Sequence, residues 1–341
     1  MRIHKIDLLR SIGLLMIIAA HLSPPALLHQ LRNFDVPLMV LISGASFQTS
    51  HRSGELYPRY VWKRFKRLIV PVWIFLTLRF VVFYLASPNH PIMDPAGIRD
   101  SYLLSDRIDY LWIIRVFFLV ALVAPLLYRL NQKIRSGRVF FSLLFFGMGA
   151  YQLARHLELE TIFGAMFTGF AHSALYYLIP YGLVYLLGMR LINLSRPVQW
   201  RLFWFFMASF ALWGIGLAQF TGDWVSTQQY KYPVAFYYLS YAMAVSLLLW
   251  IKGEDIWSRL GNWGRRYIHF ISRHSIWLYL WHIPLVRAAG YVDLPFEAEY
   301  PLVIVLATCL AALQMRVIEA LVLSWVSNRA VIKNVRLMLM G

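Results

Sequence analysis

The chain has 341 residues, of which 60% are hydrophobic and 14% charged, with a formal net charge of +17. Soluble domains carry about 25% charged residues, whereas apolar runs of about twenty residues between short basic or polar loops mark a polytopic helical membrane protein. This excludes a large-cored soluble enzyme, and also a membrane β-barrel, whose strands alternate and give no such runs.

In chain order, hydropathy places spans near residues 6–25, 34–49, 68–87, 108–128, 139–154, 173–190, 202–220, 233–251, 273–291 and 301–325. The expected fold is all-α: a polytopic integral membrane bundle of about ten transmembrane helices, forming one domain over 1–341 with no soluble appendage. The first span ends in "HLSPPALLHQ" without a small-residue cleavage pattern, and so reads as a membrane helix and not a cleaved leader. The segment 161–172, "TIFGAMFTGFAH", reads as a candidate re-entrant stretch before the sixth span.

Most of the 33 Lys and Arg residues fall on one side of this arrangement. They include Lys5 and Arg10, Arg59 to Arg67, Arg129 to Arg138, Arg190 to Arg201, Lys252 to Arg273 and Arg329 to Arg336. The opposite loops hold acids: Asp94, Asp100, Asp106, Glu158, Glu160, Asp223, Asp293, Glu297 and Glu299. The positive-inside rule then puts both termini in the cytoplasm, as an even number of spans requires. The basic charge is therefore mostly topological, and no nucleic acid is expected as a partner; the lipid bilayer is. Cys309, the one cysteine, lies in an apolar run, so neither an intrachain disulfide nor a thiolate metal cluster is expected.

Several segments carry chemistry. In "IDLLRSIGLLMIIAAHLSPP", Arg10 and His21 stand eleven positions apart. On a helix this is roughly 16 Å of rise and about three turns, which leaves the two side chains a modest angle apart. Ionisable groups inside a span are costly and commonly functional. The plainer alternatives are a snorkelling anchor for Arg10 and a headgroup-wetted histidine for His21. In "RYVWKRFKRLIVPVW", Arg64 and Arg67 share one helix face. Two guanidiniums there suit the phosphates of an anionic donor, or simply set orientation.

In "RNFDVPLMVLISGASF", Asp35 opens the second span, a short loop away from His21. A carboxylate near an imidazole can hold its tautomer and raise its basicity. Equally, a carboxylate at a helix N-terminus is favoured by the helix dipole. Ser43 and Gly44 read as close-packing small residues. Arg115, in "YLWIIRVFF", either snorkels outward or faces a polar cavity with a substrate or oxyanion role. His282, in "WHIPL", is a reserve candidate base. His274 lies eight residues before it, but no carboxylate or cysteine completes a ligand set, so no metal is expected. Lys231, Trp224, Tyr230, Tyr232, Tyr237 and Tyr238 crowd one outer loop, as an interfacial aromatic belt or a platform for a sugar.

Taken together and in order, four features resemble the acyltransferase-3 family of membrane O-acyltransferases of bacterial surface polysaccharides. They are the R-x10-H spacing, "VPLMVLISGASF", the R-x-x-R opening the third span, and "SIWLYLWHIPL". "YLWIIRVFFLVALVAPLL" and "KYPVAFYYLSYA" further resemble its fucose 4-O-acetylase-like subgroup. The resemblance covers essentially the whole chain. It implies that Arg10, His21, Arg64 and Arg67 match functional positions, and that acetyl-CoA enters from the cytoplasm as acyl donor. The acceptor it implies is a glycan or lipid-linked oligosaccharide at the cell inner membrane. The readings set against it are a transporter of acylated intermediates and a non-catalytic subunit of a polysaccharide-synthesis complex.

Overall fold

A computed structural model describes residues 3–51, 54–87, 89–105, 110–157, 164, 166, 168–292 and 294–341. Asp106, Glu158, Glu160, Asp293 and part of the candidate re-entrant stretch 161–172 lie outside the described residues. Every regular element among the described residues is helical. The α-helices are α1 (His4–Ala20), α2 (Ala26–Leu31), α3 (Asp35–Ser50), α4 (Tyr57–Ala86), α5 (Pro95–Tyr102), α6 (Trp112–Lys133) and α7 (Gly137–Ala154). There follow α8 (Tyr176–Leu191), α9 (Arg196–Thr221), α10 (Phe236–Arg259), α11 (Asn262–Arg273), α12 (Ser275–Ala289), α13 (Phe296–Val317) and α14 (Arg329–Val335).

Among the described residues, five helices are long and apolar enough to cross a membrane: α4, α6, the run Thr168–Leu191 that ends in α8, α9, and the run Phe296–Trp325 that begins with α13. Helices α1, α3 and α12 coincide with further expected spans but have 17, 16 and 15 residues. Those lengths fall short of the about twenty residues that a 30 Å hydrocarbon core asks of a helix. Helix α10 is longer, but its last turns carry Lys252, Glu254 and Asp255. Prolines 71, 125, 180, 284 and 301 lie inside α4, α6, α8, α12 and α13. Packed apolar helices tolerate them because neighbours and local adjustment re-satisfy the freed backbone groups.

The chain forms two compact units. The first comprises Met1–Ser53 and Leu119–Ile268. Its centre is α3, which packs on α8, α1 and α10, while α9 covers α10 and α7 covers α8. Small residues set the tightest crossing: the backbone of Gly44 lies against Tyr185 of α8, and that of Gly188 against Leu41 of α3. Close backbone approach of this kind is how apolar helices gain contact where lipid offers no hydrophobic contrast. Helix α1 stops at His21, followed by Ser23 at φ +49° and by Pro24 and Pro25, which cannot continue a helix. The separate turn α2 then leads into α3.

The second unit comprises Gly54–Phe118 and His269–Gly341. Helix α12 packs on α13, and α4 packs on α12 and on the final helical turn Arg336–Met340. Trp281 Nε1 donates to Gln314 Oε1 at 2.6 Å, and Gln314 Nε2 donates to the Leu339 carbonyl at 2.7 Å. These bonds tie the end of the chain to two helices. Against α4, Trp73 Nε1 donates to the Tyr102 carbonyl at 2.9 Å and fixes α5.

Candidate active site

Arg10 and His21 belong to the same helix, roughly 16 Å apart along its axis by an α-helical rise. Asp7, one turn before Arg10, is buried, with Oδ1 4.0 Å from Arg10 Nη1. The Ser11 hydroxyl is fully buried and has two acceptors for its one hydrogen, the Asp7 carbonyl at 3.0 Å and the Ile268 carbonyl at 3.1 Å. His21 is the C-terminal cap residue of α1, half-buried, with its backbone N–H turned to the carbonyls of Ile18 and Ala19. The helix therefore carries a cation low on its length and an imidazole where it ends.

Asp35 is 1% exposed and opens α3. Its Oδ2 accepts from Arg32 Nη1 at 3.0 Å; its Oδ1 accepts from the Val36 N–H at 2.7 Å and from Lys231 Nζ at 3.5 Å. Arg32 and Lys231 are themselves 2% and 3% exposed. Arg32 Nη2 lies 2.8 Å from His29 Nε2. A guanidinium only donates, so this imidazole nitrogen accepts and the ring is neutral with its proton on Nδ1. Burial holds His29 below its ordinary 6.5; Arg32 and Lys231 add to this, against the pull of Asp35. Burial likewise holds the Lys231 ammonium below its ordinary 10.5, opposed by Asp35 and aided by Arg32.

The loop that contributes Lys231 was a candidate sugar platform, and here the structure narrows the expectation. Tyr237 and Tyr238 are 2% and 0% exposed, and Tyr237 donates its hydroxyl to the Val225 carbonyl at 2.9 Å. They are core residues of α10, placed inward by helical periodicity, whereas Trp224 and Tyr232 present their rings at the surface.

In the second unit, the basic run sits wholly within the first turns of α4, which starts about three turns earlier than hydropathy suggests. Lys63 pairs with Glu55, and Lys66 Nζ donates to Asn334 Oδ1 at 2.7 Å. Arg64 lies over the ring of buried Tyr60, with Cζ 5.1 Å from its centroid, and Arg67 is exposed. Packing on an aromatic face holds a guanidinium in place. Arg115 is half-buried on α6, with buried Ile113, Ile114 and Val116 beside it in sequence. His282, fully buried on α12, directs Nδ1 at the Tyr279 carbonyl and lies 6.3 Å from the Tyr110 ring.

The six candidate residues thus divide: Arg10, His21 and Asp35 stand in the first unit, and Arg64, Arg67 and Arg115 in the second. Sequence reading passed over Arg32 and gave Lys231 only an aromatic-loop role. The available signal was local, since Arg32 and Asp35 are three apart, as an ion pair on one turn requires.

No curated protein matches the chain, and no solved structure does. The family model described as the acyltransferase domain matches residues 3–315, running through both units and through all six candidate residues. With its described regular elements all helical, and five helices among them fit to cross a bilayer, the chain belongs to the acyltransferase-3 family and is a multi-pass membrane acyltransferase.

Proposed function

We propose that this protein moves an acetyl group from cytoplasmic acetyl-CoA to a hydroxyl of an extracytoplasmic or lipid-linked glycan. It would do so from the cell inner membrane, with about ten spans and both termini in the cytoplasm. Arg64 and Arg67 bind the phosphates of the donor, and Arg10 is assigned separately to donor binding. His21 is the general base: it takes the proton of the acceptor hydroxyl as that oxygen bonds to the acetyl carbonyl carbon. The carbon–sulfur bond then breaks, and CoA leaves as its thiol once protonated. Arg115 is assigned to the oxyanion of the tetrahedral intermediate. Asp35 is a positioning residue, because the ion pairs it makes with Arg32 and Lys231 fix the segment that follows His21.

The observation that carries this reading is the placement of Arg10 and His21 on one helix within the matched region. An extended donor arm reaching along α1 would bring its thioester from the cation towards the imidazole. Proteoliposomes given radiolabelled acetyl-CoA and isolated glycan test it. Label in the glycan is the expected result, and no label in any hydroxyl acceptor despite bound CoA would refute it.

A further inference from the structure

The Arg32–Asp35–Lys231 cluster contains more positive charge than it neutralises. Among the described residues, Asp35 is the only carboxylate within 4.0 Å of the Arg32 guanidinium or the Lys231 ammonium. Two cations therefore share one anion at sites 1–3% exposed, with the neighbouring His29 neutral. The groups around them add hydroxyls and amides. Gln228 Oε1 accepts from Arg32 Nη2 at a long 3.4 Å, Asn33 Nδ2 donates to Thr227 Oγ1 at 2.9 Å, and the Tyr241 hydroxyl donates to the Leu31 carbonyl at 2.8 Å. A buried excess charge is unfavourable unless something compensates it.

Two buried polar atoms of the cluster also lack partners among the described residues: Arg32 Nε, a donor, and Asn33 Oδ1, an acceptor. Lys231 adds capacity. Among the described residues its ammonium makes one hydrogen bond, the 3.5 Å contact with Asp35, and otherwise faces the rings of Tyr232 and Tyr238 at 5.8 and 5.9 Å. Buried polar atoms in folded proteins nearly always find partners, so each exception calls for a physical reason. Spare cationic donors ask for an oxyanion, which a guanidinium edge and an ammonium both recognise. The spare amide oxygen of the adjacent residue asks for a hydroxyl.

We propose that Arg32, Lys231 and Asn33 form a subsite for an oxyanion that carries a neighbouring hydroxyl, the chemistry of a sugar acid or a sugar phosphate. The ligand enters past Tyr232, which is 45% exposed, by displacing the weakly held Gln228 amide from Arg32. Its charge compensates the excess, and its hydroxyl donates to Asn33 Oδ1. That this anion is part of the acceptor rests on the function proposed above; the binding does not.

The test uses the full chain in nanodiscs, titrated with glucuronate, glucose 1-phosphate and neutral glucose at matched ionic strength, with binding read by calorimetry. Wild-type protein should bind at least one of the two anions and not glucose; whichever binds more tightly identifies the carboxylate or the phosphate as the recognised group. Lys231→Gln should weaken that binding about ten- to a hundredfold, as expected for loss of a charged hydrogen bond, and Lys231→Arg should retain it. CoA affinity should be unchanged in both variants, which separates this subsite from the donor site. If neither anion binds wild-type protein better than glucose, the cluster is a structural latch and the proposal fails, whatever the variants do. Undiminished anion binding by folded Lys231→Gln would also overturn it.

Discussion

Gly44 of α3 meets the Tyr185 carbonyl of α8 so closely that a Cβ at position 44 would overlap backbone. Gly188 meets Leu41 in the same way, so the two helices are locked at paired glycines. Backbone cannot give way as a flexible side chain can, and Gly44→Ala must push the helices apart. Overpacking of this kind costs about 1–3 kcal/mol. Thermal unfolding in detergent should show Gly44→Ala and Gly188→Ala both clearly destabilised. Gly149→Ala, which meets nothing within 4 Å, should melt like wild type.

Acid should loosen the loop cluster through His29. Its folded-state pKa lies below 6.5, chiefly through burial, with Arg32 and Lys231 contributing. The folded state therefore binds fewer protons than the unfolded state in the window just below 6.5. Its contribution to stability is present above that value and is lost as pH falls through the lowered one. His29→Gln should flatten this acid limb of the melting-temperature profile. A limb identical to wild type would remove His29 from the account.

These residues show where sequence reading reaches and where it stops. That Arg10 and His21 go with one helix, and Arg64 and Arg67 with another, is legible because helical spacing alone relates the members of each pair. The end of α1 is legible too, since Pro24 and Pro25 announce it. The start of α4 at Tyr57 is not, because hydropathy registers where lipid begins and not where the helix does. Helix α11 escapes for a similar reason: a short amphipathic segment, rich in Arg, reads as loop. The contact of Lys231 with Asp35 joins residues 196 apart, and no local pattern encodes it.

Arg64 and Arg67 should act on donor binding and not on chemistry. Arg64→Ala and Arg67→Ala are each expected to raise KM for acetyl-CoA about ten- to a hundredfold, the worth of a charged hydrogen bond, with kcat much less affected. Calorimetric titration with CoA checks this. Unchanged CoA affinity in both variants would dismiss the clamp.

Orientation can be read with thiol labelling in a Cys309→Ser background, since Cys309 is itself exposed. Gly54→Cys and Gly261→Cys lie in loops assigned to the cytoplasm and should resist an impermeant maleimide in intact cells. Ala96→Cys and Asp223→Cys lie in loops assigned to the outside and should react. All four positions are exposed. The reverse labelling pattern would place the acceptor in the wrong compartment.

In the proposed mechanism the imidazole at the end of α1 takes the acceptor proton. The most direct measurement is glycan acetylation by His21→Ala in proteoliposomes, alongside its CoA affinity and melting temperature. Loss of a general base costs about a hundred- to ten-thousandfold in rate. His21→Ala should lower kcat by that factor, with CoA binding and fold preserved. Wild-type acetylation by a well-folded His21→Ala protein would contradict it and move the search for the base to His282.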